Sequence, residues 1–317
     1  PDLKWQRTLN NNFGLTAAFL DNRFNLSFDF YSNTTYDMLM SVNLPPSVGT
    51  SSMNVNFGQL NNKGLDLSLS AQIIRNKDWF WSVTLTGGHV MDQIRKISEG
   101  LKNDIDNPYD SSKPKILFVE GGSQYDIYAM RSAGIDPATG KEIFIKKNGE
   151  YTFKYDENER VAVGNTNPIL QGSLMNTLRY KGFSISVATS YTFGSDYYNS
   201  TLKNKVENID LNYNVDRRVF TDRWKQPGDH TRFLGIGTSS SSNQYSERFV
   251  EKRNELYISS IQVMYDFAPK AITRLGLRKL AIGFGLSDIA HISTVKFERG
   301  TEYPYCRGIN LIFRPTF

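Results

Sequence analysis

Apolar residues recur at every second position through most of this chain, while the three-to-four spacing of an amphipathic helix fits almost nowhere. Phe24, Leu26, Phe28 and Phe30 share one face of a segment whose other face carries Asn25, Ser27, Asp29 and Tyr31. Leu65, Leu67, Leu69 and Ala71 oppose Asp66, Ser68 and Ser70, and Trp79, Trp81, Val83 and Leu85 repeat the pattern. Further runs lie at 13–19, 183–193, 261–267, 280–286 and 309–317, for eight in all. Each predicts a β-strand with one apolar and one polar face.

A two-sheet sandwich also alternates, so the joints between strands decide the class. Very short connections at Asp21-Asn22, 75–78, Lys181-Gly182 and 268–270 take turns with long polar ones near 41–57, 91–167, 199–246 and 290–302. That asymmetry predicts an antiparallel transmembrane β-barrel with tight turns at the periplasmic rim and long loops outside. The last strand then runs down to the periplasmic rim. Ile309, Leu311, Phe313 and Phe317 face lipid and form a terminal aromatic pattern of the kind read during outer-membrane assembly, while Asn310, Arg314 and Thr316 face the lumen. Asp29, Tyr31, Asp66, Gln262 and Asp266 are expected to face the lumen and whatever fills it. The 91–167 stretch is too long for an ordinary loop. It holds the strand-like pieces KILFV, YDIYAM and KEIFIKKNGEYTF, with Asn148-Gly149 as a hairpin turn, and is expected to be a structured excursion able to add two strands.

Composition adds three limits. Charged residues make up 22% of the 317 positions and the mean hydropathy is −0.44, with no apolar stretch long enough for a membrane helix. Any crossing is therefore made by strands. The net charge of +5 is scattered rather than gathered in a basic run, which fits an anionic lipid or lipopolysaccharide surface and gives no nucleic-acid signature. Cys306 is alone, so no internal disulfide frames the fold. The chain opens directly on PDLKW, and 1–317 is read as the C-terminal portion of a longer polypeptide.

Candidate chemistry is sparse. His89, His230 and His291 lack metal-ligand spacing, and no nucleophile elbow or phosphate loop occurs, so neither an enzyme nor a cofactor is expected. Asp104, Asp106 and Asp110 lie close together, yet the glycine and closing glutamate of a calcium loop are missing, and solvated loop carboxylates are the simpler reading. Aromatic residues in the long connections could stack on sugar rings, and Tyr adds a hydroxyl that can hydrogen-bond. Tyr109, Tyr125, Tyr128, Tyr197, Tyr198 and Trp224 are the substrate-binding candidates, with loop packing or an interfacial girdle as the alternative for each.

Several ordered segments resemble one family, the SusC/RagA-type TonB-dependent outer-membrane transporters. PDLKW (1–5), NNKGLDLSL (61–69), AGIDPATGKEIF (133–144), RWKQPGDHT (223–231), SERFVEKRNELYISSIQVMYDF (246–267) and FERGTEYPYCRGINLIF (297–313) are similar to its motifs, although ERGTEYP replaces the usual DPE. The resemblance implies that these strands complete a plugged barrel of about 22 strands. It also implies TonB-dependent import of a glycan or oligopeptide across a Gram-negative outer membrane. The implied partners are a SusD-like lipoprotein lid and the TonB-ExbB-ExbD complex, with the plug and TonB box lying outside this chain. A passive porin or a surface adhesin is the alternative.

Overall fold

A computed structural model describes residues 3–43, 49, 52–97, 119–210, 212, 214–237, 244–272, 276–296 and 307–317. Strands β1 (Arg7–Phe19), β2 (Phe24–Asn43), β3 (Ser52–Arg75) and β4 (Trp79–Ile97) are followed by the short β5 (Asp126–Ala129), β6 (Arg131–Ile135), β7 (Glu142–Ile145), β8 (Tyr151–Thr152) and β9 (Val161–Asn165). Then come β10 (Leu170–Tyr180), β11 (Phe183–Tyr198), β12 (Val250–Asp266), β13 (Lys279–Ser293) and β14 (Gly308–Thr316). The long strands form one antiparallel wall in the order β1-β2-β3-β4-β10-β11-β12-β13-β14. It is open between β1 and β14.

The register aligns the apolar positions into rows that cross the wall. Ile74, Trp81, Leu178, Ile185, Val263, Phe284 and Leu311 are successive partners from β3 to β14. Ala17, Leu26, Leu69, Leu85 and Leu174 form a second row from β1 to β10. Each cross-strand apolar pair contributes roughly 0.2–1 kcal/mol, and a one-residue slip would turn every row to the wrong face. Among the described residues nothing covers this face. Leu311 is 82% exposed and Phe13 65%. An apolar surface of this extent needs a hydrocarbon solvent.

The wall has nine strands rather than eight. The run missing from the alternation is β10, whose apolar face is diluted by Gly172 and Asn176. Asn176 is tolerated there because its Oδ1 accepts the indole N–H of Trp81 at 2.8 Å. Among its described residues, the 91–167 excursion adds no further strand to the wall, and most of KILFV lies outside them. Instead β5 pairs with β9, and β6-β7-β8 make a separate small sheet. The expected hairpin at Asn148-Gly149 does join β7 and β8, with Gly149 at φ +90° and its N–H donating to the Lys146 carbonyl.

Strands also run further than the alternation indicated. Residues 41–43 and 52–57 belong to β2 and β3, and β13 continues to Ser293, so the long connections near 41–57 and 290–302 are shorter than expected. The 199–246 connection carries helices α1 (Ser200–Val206) and α2 (Arg218–Thr221). A tight turn at 268–270 is replaced by a one-turn helix α3 (Pro269–Ile272) before β13 resumes. The first turn matches its expectation. Leu20, Asp21 and Asn22 take left-handed φ values of 53°, 54° and 62°, the twist a tight hairpin requires.

The compact apolar core lies beyond the wall, at its long-connection end. Ile127, Ala129, Tyr198, Leu202, Val206, Phe233, Tyr245 and Phe249 pack together there, drawn from the 119–167 and 199–250 segments and the last residue of β11. These two insertions make a cap. It is tied to the wall through Ile94, which exchanges backbone bonds with Gly121 and Gly122, and through Asp92, which accepts from Ser123 and Gln124.

Candidate functional site

On the polar face of the wall, Asp29 and Asp66 stand directly opposite each other on β2 and β3. Gly14 opposes Asp29 from β1, and Gly88 opposes Asp66 from β4. The glycines are required by this arrangement. A Cβ on Gly14 would sit 2.6 Å from Asp29 Oδ1, and one on Gly88 2.5 Å from Asp66 Oδ1. Gly64 makes the same room for Tyr31, whose ring would lie 2.2 Å from an added methyl. Each long side chain therefore lies sideways over a neighbouring glycine.

The result is an open trough of about 300 Å³ lined by Ser27, Asp29, Asp66, Ser68, Thr86 and Gln171. Ser27 Oγ donates to Asp29 at 3.2 Å. Hydroxyls, an amide and two carboxylates can hold a polar or cationic group here. Gln262 and Asp266 lie on β12, three strands beyond β4, with Gln262 opposite Ser186 and Gly285. They do not join the trough.

The aromatic candidates separate by burial. Tyr128 on β5 and Tyr198 at the end of β11 are buried, and Tyr198 sits in the cap core with its ring edge-on to Tyr245 at 5.8 Å. Burial, helped by the Asp126 carboxylate, pushes the Tyr128 hydroxyl up to about 12. Tyr197 is half-buried. Tyr125 is exposed at the foot of the cap, where its carbonyl accepts from Thr166. Tyr109, Asp104, Asp106 and Asp110 lie outside the described residues.

Trp224 joins two segments that are far apart in sequence. Its indole N–H donates to the Pro137 carbonyl at 2.9 Å. Its ring lies on Gly140, which has φ +69° and where a Cβ would come within 2.4 Å of the indole. Gly228 also donates to Pro137, and Gly235 to Gly140. The 133–144 and 223–231 motifs thus dock on each other.

Sequence patterning gave no sign of the charges buried in the cap. Arg248 pairs with Glu142 at 2.7 Å and with Glu207 at 2.9 Å, and all three side chains are nearly inaccessible. Burial opposes the charge on Arg248, but hydrogen bonds and attraction from the two carboxylates overcome it and hold the guanidinium above its usual range. Ser246 Oγ donates to Glu142, and the Leu234 N–H to Glu207. Arg223, also buried, donates to the carbonyls of Val206, Leu234 and Gly235. Lys203 reaches the Gln244 carbonyl, and burial pulls its amine down to about 8 against the opposing pull of Glu207 and Glu142. Isolated charges without period carry no signal in an alternation analysis, although Glu142 and Arg248 fall within quoted motifs.

Ile309, Leu311, Phe313 and Phe317 are all exposed at the β14 edge of the wall. Among the described residues no group of three or more His, Cys, Asp or Glu is placed to hold a metal ion.

Residues 1–126 match the model described as TonB dependent receptor-like, beta-barrel. The chain is 25% identical over 333 residues to TonB-dependent receptor P39 of Formosa agariphila, covering 91% of this chain and 32% of that protein. It is 26% identical over 279 residues to TonB-dependent receptor SusC of Bacteroides thetaiotaomicron, covering 84% of this chain and 26% of that one. Its fold is similar to the structure of the RagAB peptide transporter, with a TM-score of 0.79 at 23% identity over 93% of this chain and 32% of that chain. The chain spans about a third or less of the length of these relatives.

Proposed function

We propose that this chain belongs to the TonB-dependent receptor β-barrel family, and so to an outer membrane, and is the C-terminal part of a barrel that imports a bulky nutrient by TonB-driven transport. One observation carries the reading: a nine-stranded wall with an uncovered apolar face on one side and a polar, glycine-floored face on the other. Such a wall needs lipid outside and a polar filling inside. The wall is also open at both edges, and unpaired edges in a membrane must be closed by further strands. A relative length of about three times this chain supports strands and a plug supplied by the rest of the protein. Residues 1–317 form one barrel portion in this reading.

The similarity to SusC and to RagAB supports a surface lipoprotein of the SusD type as partner at the capped end, and TonB-ExbB-ExbD as the energy source through the plug. Glycan or oligopeptide is the cargo class. Tyr125 offers the most open ring of the described aromatic candidates, and the trough at Asp29 and Asp66 faces the filling of the barrel. The full-length protein, purified from native outer membrane in mild detergent, tests this. A stoichiometric lipoprotein and a bound glycan or peptide mixture, identified by mass spectrometry, are expected. A lone barrel whose gene encodes no plug would replace the importer with a porin or adhesin.

A further inference from the structure

The cap is built from two insertions that share no strand of the wall. The first leaves β4 and returns at β10; the second leaves β11 and returns at β12. Their chain segments nevertheless interlock at three levels. Backbone bonds cross between them: the Met130 N–H donates to the Tyr245 carbonyl, and the Glu247 N–H to the Met130 carbonyl. The apolar core takes Ile127 and Ala129 from the first insertion and Leu202, Val206, Phe233 and Phe249 from the second. Finally Arg248, at the root of β12, holds Glu142 of the first insertion and Glu207 of the second through one guanidinium.

We propose that the two insertions open and close as a single cooperative body, with Arg248 as the shared counter-ion that couples them. Removing Arg248 takes from two buried carboxylates the guanidinium that bonds them both, with the attraction of Lys203 as partial compensation, so the loss is felt in both insertions at once. An influence that orders or loosens one insertion is therefore transmitted to the other, in both directions and by the same factor. The wall beneath has its own hydrogen-bonded ladder and apolar face, and meets the cap at Ile94, Asp92 and the end of β11. This coupling does not depend on what the barrel transports.

The test uses full-length protein in detergent and mild chymotrypsin, with each cut located by mass spectrometry so that cleavage at residue 248 itself is set aside. Arg248→Met is expected to raise cleavage within 126–165 and within 199–237 together, each by tenfold or more, while the barrel keeps its resistance to unfolding in cold SDS. Glu142→Gln, made in the first insertion, should raise cleavage in the second as well. Faster cleavage confined to the insertion that carries the change would overturn the proposal, as would loss of SDS resistance at the same rate. Should Arg248→Met fail to assemble, hydrogen exchange of the wild-type protein decides: matching opening free energies in both insertions support one body, and separate ones refute it.

Discussion

The wall and the cap satisfy their backbones in opposite ways. In the wall, Leu311, Phe313 and Phe13 are exposed and hydrogen bonds run from strand to strand across an open sheet. In the cap, Phe249, Val206 and Met130 are fully buried and the segments are held by side-chain charges and scattered backbone bonds. The wall is stabilised by contact with lipid, the cap by exclusion of water. A substitution of the same chemistry should thus have opposite effects in the two regions.

The sharpest way to break the comparison is a charge on the outer face. Leu85→Arg sits in the row with Leu69 and Leu174, and an arginine near the hydrocarbon midplane costs about 2–4 kcal/mol. Loss of folded barrel in urea titrations of lipid-reconstituted protein is expected, whereas Ser68→Arg on the polar face should leave the transition nearly unmoved. Next is Arg223→Met, which fits an apolar cap yet strands three buried carbonyls. A cap destabilisation of about 3 kcal/mol, read by hydrogen exchange at 199–237, is expected with the wall unaffected.

Lys203 gives the cap a pH signature. Its folded-state pKa of about 8 lies below the ordinary value of 10.5, so between these two the unfolded cap binds more protons. Cap stability should therefore rise as pH climbs from about 8 to 10.5, by on the order of 1–3 kcal/mol. Lys203→Met should flatten that slope; a slope retained in the variant would assign it to another group. A smaller effect is expected from Gly64→Ala, whose methyl pushes the Tyr31 ring aside at roughly 1 kcal/mol. Phe317→Ala should change the stability of the finished barrel least of all, and lower only the amount assembled, measured as the yield of SDS-resistant protein in outer membranes.

The wall was legible because its rule is periodic. Two-residue alternation names the face of every side chain once the strand is known, and the alternation of short and long joints orders the strands. It failed at β10, where Asn176 occupies an apolar position and is excused only by Trp81, a partner 95 residues away. The cap was not legible for the same kind of reason. Glu142, Glu207 and Arg248 meet across 41 and 106 residues of sequence, and no local pattern encodes that meeting. The hairpin at Asn148-Gly149 is the exception within the cap, since its two-residue turn is a local signal. Of the lumen-facing candidates, Asp29, Tyr31 and Asp66 were placed on one face by parity, but the glycines that let them lie flat follow only from register.

The length of β3 has a consequence for reach. Twenty-four residues extend roughly 80 Å along the strand, and at a tilt near 40° they rise about 60 Å, against an apolar band of only about 25 Å. Its apolar positions, Leu65 to Ile73, lie in the half next to the short turn, and the stretch from Ser52 to Gly64 is mostly polar. The end of β3 at the long connections therefore stands some tens of ångströms clear of the apolar band. A bilayer can cover only the part of β3 next to the short turn, and the rest of the strand meets water.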